Sequence, residues 1–172
     1  MPGNVILVGF MGAGKSACGR LLARRLGRCF VETDDMIVGR DGRPIPEIFR
    51  QDGEETFRRL ETEAVDALGL KSDDVIATGG GLPCREGRME ALRAIGTVVW
   101  LRGDLVELLA RARRGGQRPM LDGRNPAEID ALYRAREPYY AQAHLTVDTA
   151  GQTIDQVVHR IVAALREAHA RV

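Results

Sequence analysis

The stretch Gly9-Phe10-Met11-Gly12-Ala13-Gly14-Lys15-Ser16 carries the clearest chemistry in this chain. Its glycines let the backbone curl with N–H groups turned inward, so a polyphosphate can lie against them and against the positive end of a following helix. Lys15 would then reach the β- and γ-phosphates, Ser16 would offer its hydroxyl to Mg²⁺, and Gly12, Ala13, Gly14 and Ala17 would supply the surrounding backbone. A second set of groups is Glu32, Asp34 and Asp35. One of these carboxylates could hold magnesium and another could accept a proton from a hydroxyl nucleophile. The same residues, with Thr33, also suit the capping of a helix, and by themselves they leave both readings open.

These groups need a scaffold, and the hydrophobic pattern describes one. The loop follows the apolar run Val5-Ile6-Leu7-Val8 and opens a helical pattern over residues 17–26, which is the strand, loop, helix setting of a phosphate-binding loop. Strands are expected near residues 4–8, 29–32, 74–78, 97–101 and 145–147, alternating with helical patterns. That alternation predicts an α/β three-layer sandwich around a five-stranded parallel sheet, with the first four strands apolar enough to be buried on both faces. Glu32, Asp34 and Asp35 then fall in the crevice beyond the carboxyl ends of the strands, where open α/β sheets bind ligands. The third strand ends Ala77-Thr78-Gly79-Gly80-Gly81, without the aspartate that many nucleotide-binding sheets place there.

Further helices are expected from residue 34 to 38, around Ile48 and Phe49, and over 54–68, 85–94, 104–113 and 153–169, with another from Pro126 that breaks near Pro138. On the 54–68 helix, Arg58 and Glu61 stand three apart and share a face. Residues 113–125 are basic, rich in glycine and without a period, which predicts a lid. Arg20, Arg24 and Arg25 read as a solvated face, and Trp100 as core.

The 172 residues suit a single domain, and 25 Lys plus Arg against 24 Asp plus Glu leave no overall field for a nucleic acid or an anionic membrane. Cys18, Cys29 and Cys84 lack metal-ligand or redox spacing and read as reduced packing residues. His144, His159 and His169 form no ligand set. No apolar run approaches the ~20 residues of a membrane span, so a soluble, cytoplasmic chain is expected, with monomer as the default state.

Residues 9–16, Thr33-Asp34, Asp52-Gly53-Glu54-Glu55 with Phe57-Arg58-Arg59-Leu60-Glu61, Gly79-Gly80-Gly81 and Arg118-Pro119-Met120-Leu121 together resemble shikimate kinase. The blocks fall in the family's order and reach from the first strand to Tyr139. The resemblance implies a P-loop kinase of the nucleoside monophosphate kinase type, with sheet order 2-3-1-4-5, that moves the γ-phosphoryl group of ATP to the 3-hydroxyl of shikimate. A shikimate-binding region at about 33–61 and a lid at about 113–125 follow from it. It also implies roles: Asp34 as base, Arg58 and Arg136 on the shikimate carboxylate, Glu61 holding Arg58, and Gly79, Gly80 and Gly81 bringing backbone to the ring hydroxyls. Lys15 and Arg118 would stabilise the transferring group. Arg111 matches the family's adenine-stacking arginine, with Gln152 in the 149–153 turn on the other side of the base.

One departure stands out. The family carries Asp-x-Asp after the second strand, where this chain has Glu32-Thr33-Asp34. The longer Glu32 keeps a water-mediated contact to magnesium only in a different rotamer, or Asp35 takes its place. A related kinase for gluconate or a nucleoside monophosphate would keep Lys15, Ser16 and the lid but need another acceptor pocket. A regulatory module without turnover would need neither Arg118 nor Asp34.

Overall fold

In the computed structural model, which describes residues 3–69, 73–114 and 125–170, the sheet is built outward from its most apolar strand. This is β1 (Asn4–Val8), buried along its whole length and paired in parallel with β3 (Val75–Ala77) on one side and β4 (Gly96–Arg102) on the other. A strand with β-branched and leucine side chains on both faces has to lie centrally, because either face left to water would expose apolar surface. At the two edges stand β2 (Phe30–Glu32) and β5 (Leu145–Asp148), so the order is β2-β3-β1-β4-β5, all parallel. Leu7 is level with Ala77 and Val99, and Ala77 with Glu32, so the loops that leave β1, β2 and β3 open onto one rim. The expectation that the second strand is buried on both faces does not hold: all three residues of β2 are half-exposed, because it has a neighbour on one side only.

Helix α1 (Lys15–Leu26) runs from Gly14 to Gly27 and buries Cys18, Leu22 and Ala23. Two helices follow β2, namely α2 (Thr33–Asp41) and α3 (Ile45–Leu68), the latter broken at Gly53, where φ is 78°. Ile37, Ile48, Phe57, Leu60 and Ala64 from these two helices form a small core separate from the main one. After β3 come α4 (Arg88–Ile95) and, after β4, α5 (Leu105–Arg114). The expected 85–94 helix thus begins three residues later, with Gly87 at φ 73° ahead of its first turn.

Helix α6 (Pro126–Tyr140) opens on a capping box between Asn125 and Glu128. It continues through Pro138 instead of breaking there. Pro138 is exposed, so water can replace the missing N–H, while the fully buried Tyr140 ties the last turn into the core. The chain closes with β5 and α7 (Ile154–Ala170), which buries Val157, Val158, Ile161 and Leu165.

Arg118 and most of the expected lid fall in residues 115–124, outside the described residues. Burial pushes the Cys18 thiol up to about 11, which suits an inert packing group, and Cys84 is half-buried. Cys29 is exposed rather than packed, since it precedes the edge strand. Among the described residues no helix is long and apolar enough to cross a membrane.

Candidate active site

The loop between β1 and α1 is held from below by side chains and from the side by backbone. Phe10 and Ala13 are buried in the main core. Gly12 has φ 78°, and a methyl group there would overlap the carbonyl oxygen of Leu108 on α5. Glycine is therefore required at this position by conformation and by space. Lys15 Nζ donates to the carbonyls of Gly9 at 2.8 Å and Phe10 at 3.1 Å, so the ammonium stands over the mouth of the loop.

Ser16 at the start of α1 donates its hydroxyl to Glu32 Oε1. Glu32 Oε2 accepts from Arg20 Nη2 at 2.7 Å, and the Arg20 guanidinium lies 4.7 Å from the centre of the Phe30 ring. The extra methylene of Glu32 thus does not remove its carboxylate from Ser16. A hydroxyl beside a carboxylate is an oxygen-donor set of the kind magnesium takes. Arg20 is exposed, as a solvated face requires, and from there it also fixes the far side of Glu32.

Thr33 is fully buried and accepts the Gly79 N–H on its Oγ1 at 3.0 Å, joining the end of β2 to the end of β3. It serves this strand-to-strand bond, and α2 has no side-chain cap. Asp34 follows directly and stands against Gly79, where a methyl group would come within 2.7 Å of Asp34 Oδ1. The aspartate and the glycine run are therefore neighbours in space although 45 positions apart.

Across the pocket, Arg58 on α3 binds Glu61 Oε2 through Nη1 at 2.8 Å and Glu54 Oε1 through Nη2 at 2.8 Å. The Glu61 side chain is only 4% exposed. Burial raises its pKa above the ordinary carboxylate range, the Arg58 bond opposes that rise, and the charge of Asp34 adds to it. For Arg58, burial works against the charged form, but the bonds to Glu61 and Glu54 outweigh it and the pKa rises. Arg136 on α6 lies over the Phe10 ring at 5.7 Å. A methyl group on Gly81 would stand 3.2 Å from Arg136 Nη2 and 3.6 Å from Arg58 Nη1, so the two guanidinium groups converge on this glycine.

The residue patterns gave no signal for Tyr140. Its hydroxyl donates to the Gly80 carbonyl at 2.7 Å, and burial pushes its pKa upward, so it stays a neutral donor that pins the glycine turn. An aromatic residue at the end of a charged helix announces packing, not its hydrogen bond.

On the far side of the phosphate loop, Arg111 donates to Thr149 Oγ1 at 3.1 Å and Thr149 O at 2.8 Å, and pairs with Glu107 at 2.6 Å. Gln152 donates its backbone N–H to Thr149 O at 3.2 Å, so Arg111 and Gln152 both bond the same carbonyl. The rim of the sheet thus presents a phosphate cradle, with a carboxylate and two guanidinium groups on one side of it and an arginine braced against a turn on the other. Such a rim can hold a nucleoside polyphosphate and, facing it, a hydroxylated carboxylic acid.

The shikimate kinase family model matches residues 11–166 of the chain. A shikimate kinase of Moorella thermoacetica is 47% identical over 166 residues, covering 96% of each chain. Among solved structures, shikimate kinase from Acinetobacter baumannii in complex with shikimate is 36% identical, with a TM-score of 0.90 over 96% of this chain and 94% of that one. Shikimate kinase from Aquifex aeolicus is 34% identical, with a TM-score of 0.87 over 96% and 98%.

Proposed function

The chain belongs to the shikimate kinase family and is a phosphotransferase with an alcohol acceptor; from that premise we propose how its own residues move the ATP γ-phosphoryl group to the 3-hydroxyl of shikimate. The inward N–H groups of Gly12, Ala13, Gly14, Lys15, Ser16 and Ala17 take the phosphates, and Lys15 leaves the loop carbonyls for the β- and γ-oxygens. Arg58 and Arg136 bind the shikimate carboxylate, which fixes the ring so that its 3-hydroxyl faces Asp34. Glu61 keeps Arg58 turned inward, and Gly79, Gly80 and Gly81 let the ring approach the backbone.

Asp34 accepts the hydroxyl proton as the oxygen bonds to the γ-phosphorus. The bond from that phosphorus to the β,γ-bridging oxygen breaks, and ADP leaves with the electron pair. Arg118 neutralises charge on the transferring group, and closure of the 113–125 segment keeps water from acting as acceptor. Ser16 and Glu32, already in contact, are the residues that would hold magnesium, Glu32 through water. Magnesium, when bound, neutralises charge on the β- and γ-phosphates. Arg111 and Gln152 receive the adenine. The balanced charge and free thiols support a cytoplasmic enzyme, and the absence of a self-association signal in the sequence supports a monomer.

The convergence of Arg58 and Arg136 on Gly81, with Gly79 of the same run against Asp34, carries this reading. An assay that couples ADP release to a colour change, run with shikimate, gluconate and nucleoside monophosphates, tests it. Turnover is expected with shikimate alone. Fast turnover with gluconate and none with shikimate would overturn the acceptor assignment.

A further inference from the structure

Glu107 lies on α5 one turn before Arg111, and the transfer described above leaves it without a role. Its Oε1 accepts from Arg111 Nη2 at 2.6 Å and from the Gly151 N–H at 3.1 Å, and its Oε2 is 3.3 Å from the same N–H. Arg111 continues to Thr149, bonding the side-chain oxygen through Nη1 and the carbonyl through Nη2. Thr149 is buried, so the far end of this chain of bonds is anchored in the fold. An arginine on a flexible stem is ordinarily free to swing, but three acceptors on two sides leave its planar guanidinium one orientation.

From this ring of bonds we infer that Glu107 is a positioning residue for the nucleobase, holding the Arg111 plane and the 149–152 turn as a preformed slot. The inference rests on the reading of Arg111 as the adenine platform. Preformation matters because an unbraced arginine would have to be ordered when ATP binds, at a cost to affinity. Glu107 has no part in the transfer itself, so its loss should weaken nucleotide binding and leave the chemical step alone.

The same helix also props the phosphate loop, since the Leu108 carbonyl abuts Gly12. A variant at Glu107 that merely loosened α5 would therefore weaken binding of the phosphates as well. Inorganic tripolyphosphate separates the two effects, because it fills the cradle and carries no base.

Calorimetric titrations of the full chain with ADP and with tripolyphosphate, alongside KM for ATP and for shikimate, make the test. Glu107→Ala should weaken ADP about 10-fold and the isosteric Glu107→Gln about 3-fold, the loss expected for a charge-assisted bond removed or reduced. Tripolyphosphate affinity, kcat and the shikimate KM should stay at the wild-type values. Arg111→Ala should weaken ADP at least as much as Glu107→Ala.

Unchanged ADP affinity in both Glu107 variants, with a loss in Arg111→Ala, would overturn the inference and leave the adenine platform standing. An equal loss for tripolyphosphate would reduce Glu107 to a prop of α5. Unchanged ADP affinity in Arg111→Ala would instead remove the platform, and the inference with it. Should Glu107→Ala fail to fold, Glu107→Gln gives the same comparison with the side chain's shape retained.

Discussion

The phosphate cradle and the proposed acceptor pocket share one rim of the sheet but are held in place by different means. The cradle is backbone, set on Phe10 and Ala13 in the main core and flanked by the Leu108 carbonyl. The pocket is made of charged side chains, and Arg58 and Glu61 ride on a stretch of α3 whose Phe57, Leu60 and Ala64 join Ile37 and Ile48 in the smaller core, while Val65 and Leu68 beyond them reach the main one. A break at Gly53 separates the second half of α3 from the first. A triphosphate is the same object in every phosphate-binding loop, so its site can be rigid main chain. An acceptor differs from one kinase to another, and side chains on a separately packed segment can change without disturbing the cradle.

If the two regions are that separate, damage to one should spare the other. The largest effect is expected from Gly12→Ala, where the added methyl meets the Leu108 carbonyl and the backbone is held at φ 78°. ADP affinity should fall by more than about 100-fold, as left-handed strain and displacement of the loop add. Calorimetry should still show shikimate bound with wild-type affinity, and joint loss of both ligands would erase the distinction.

Asp34→Asn tests the pocket in the opposite sense. It should cut kcat by about 10² to 10⁴, the usual contribution of a positioned base, with ADP binding unchanged by titration. Full activity in that variant would remove Asp34 from the mechanism.

A smaller effect follows from the raised pKa of Glu61. An acid whose pKa is higher in the fold than in the unfolded chain contributes stability below the unfolded value and loses it as pH rises through the folded value. Ionised Glu61 therefore costs the fold stability and serves the bond to Arg58. Melting curves of Glu61→Gln at pH 7 should show stability equal to or above wild type, while its shikimate KM rises. In the wild type the shikimate KM should rise as pH falls through the raised value and Glu61 becomes neutral. The variant should lack that dependence.

The mildest change is Glu32→Asp, which restores the family's residue beside Ser16. Turnover should persist, with at most a modest shift in the magnesium concentration for half-maximal rate. A loss of activity would show that the Arg20 contact to Glu32 is tuned to the longer side chain.

Residues 9–16 were legible as a phosphate loop because the pattern is contiguous and local φ/ψ demands dictate glycine. The five parallel strands were legible for a similar reason, since burial on one or two faces imposes its own period on the chain. The family blocks then pointed to Asp34, Arg58 and Arg136. What no linear pattern carries is contact across distance. That Thr33 ties β2 to Gly79, that Tyr140 pins Gly80, that Arg20 grips Glu32 and that Glu107 braces Arg111 against Thr149 depends on which side chains the closed sheet brings within about 3 Å, the range in which a hydrogen bond forms. The continuation of α6 through Pro138 was likewise settled by solvent on one side and a buried tyrosine on the other. Local chemistry wrote the cradle into the chain, whereas the pocket exists only once separate segments are packed side by side.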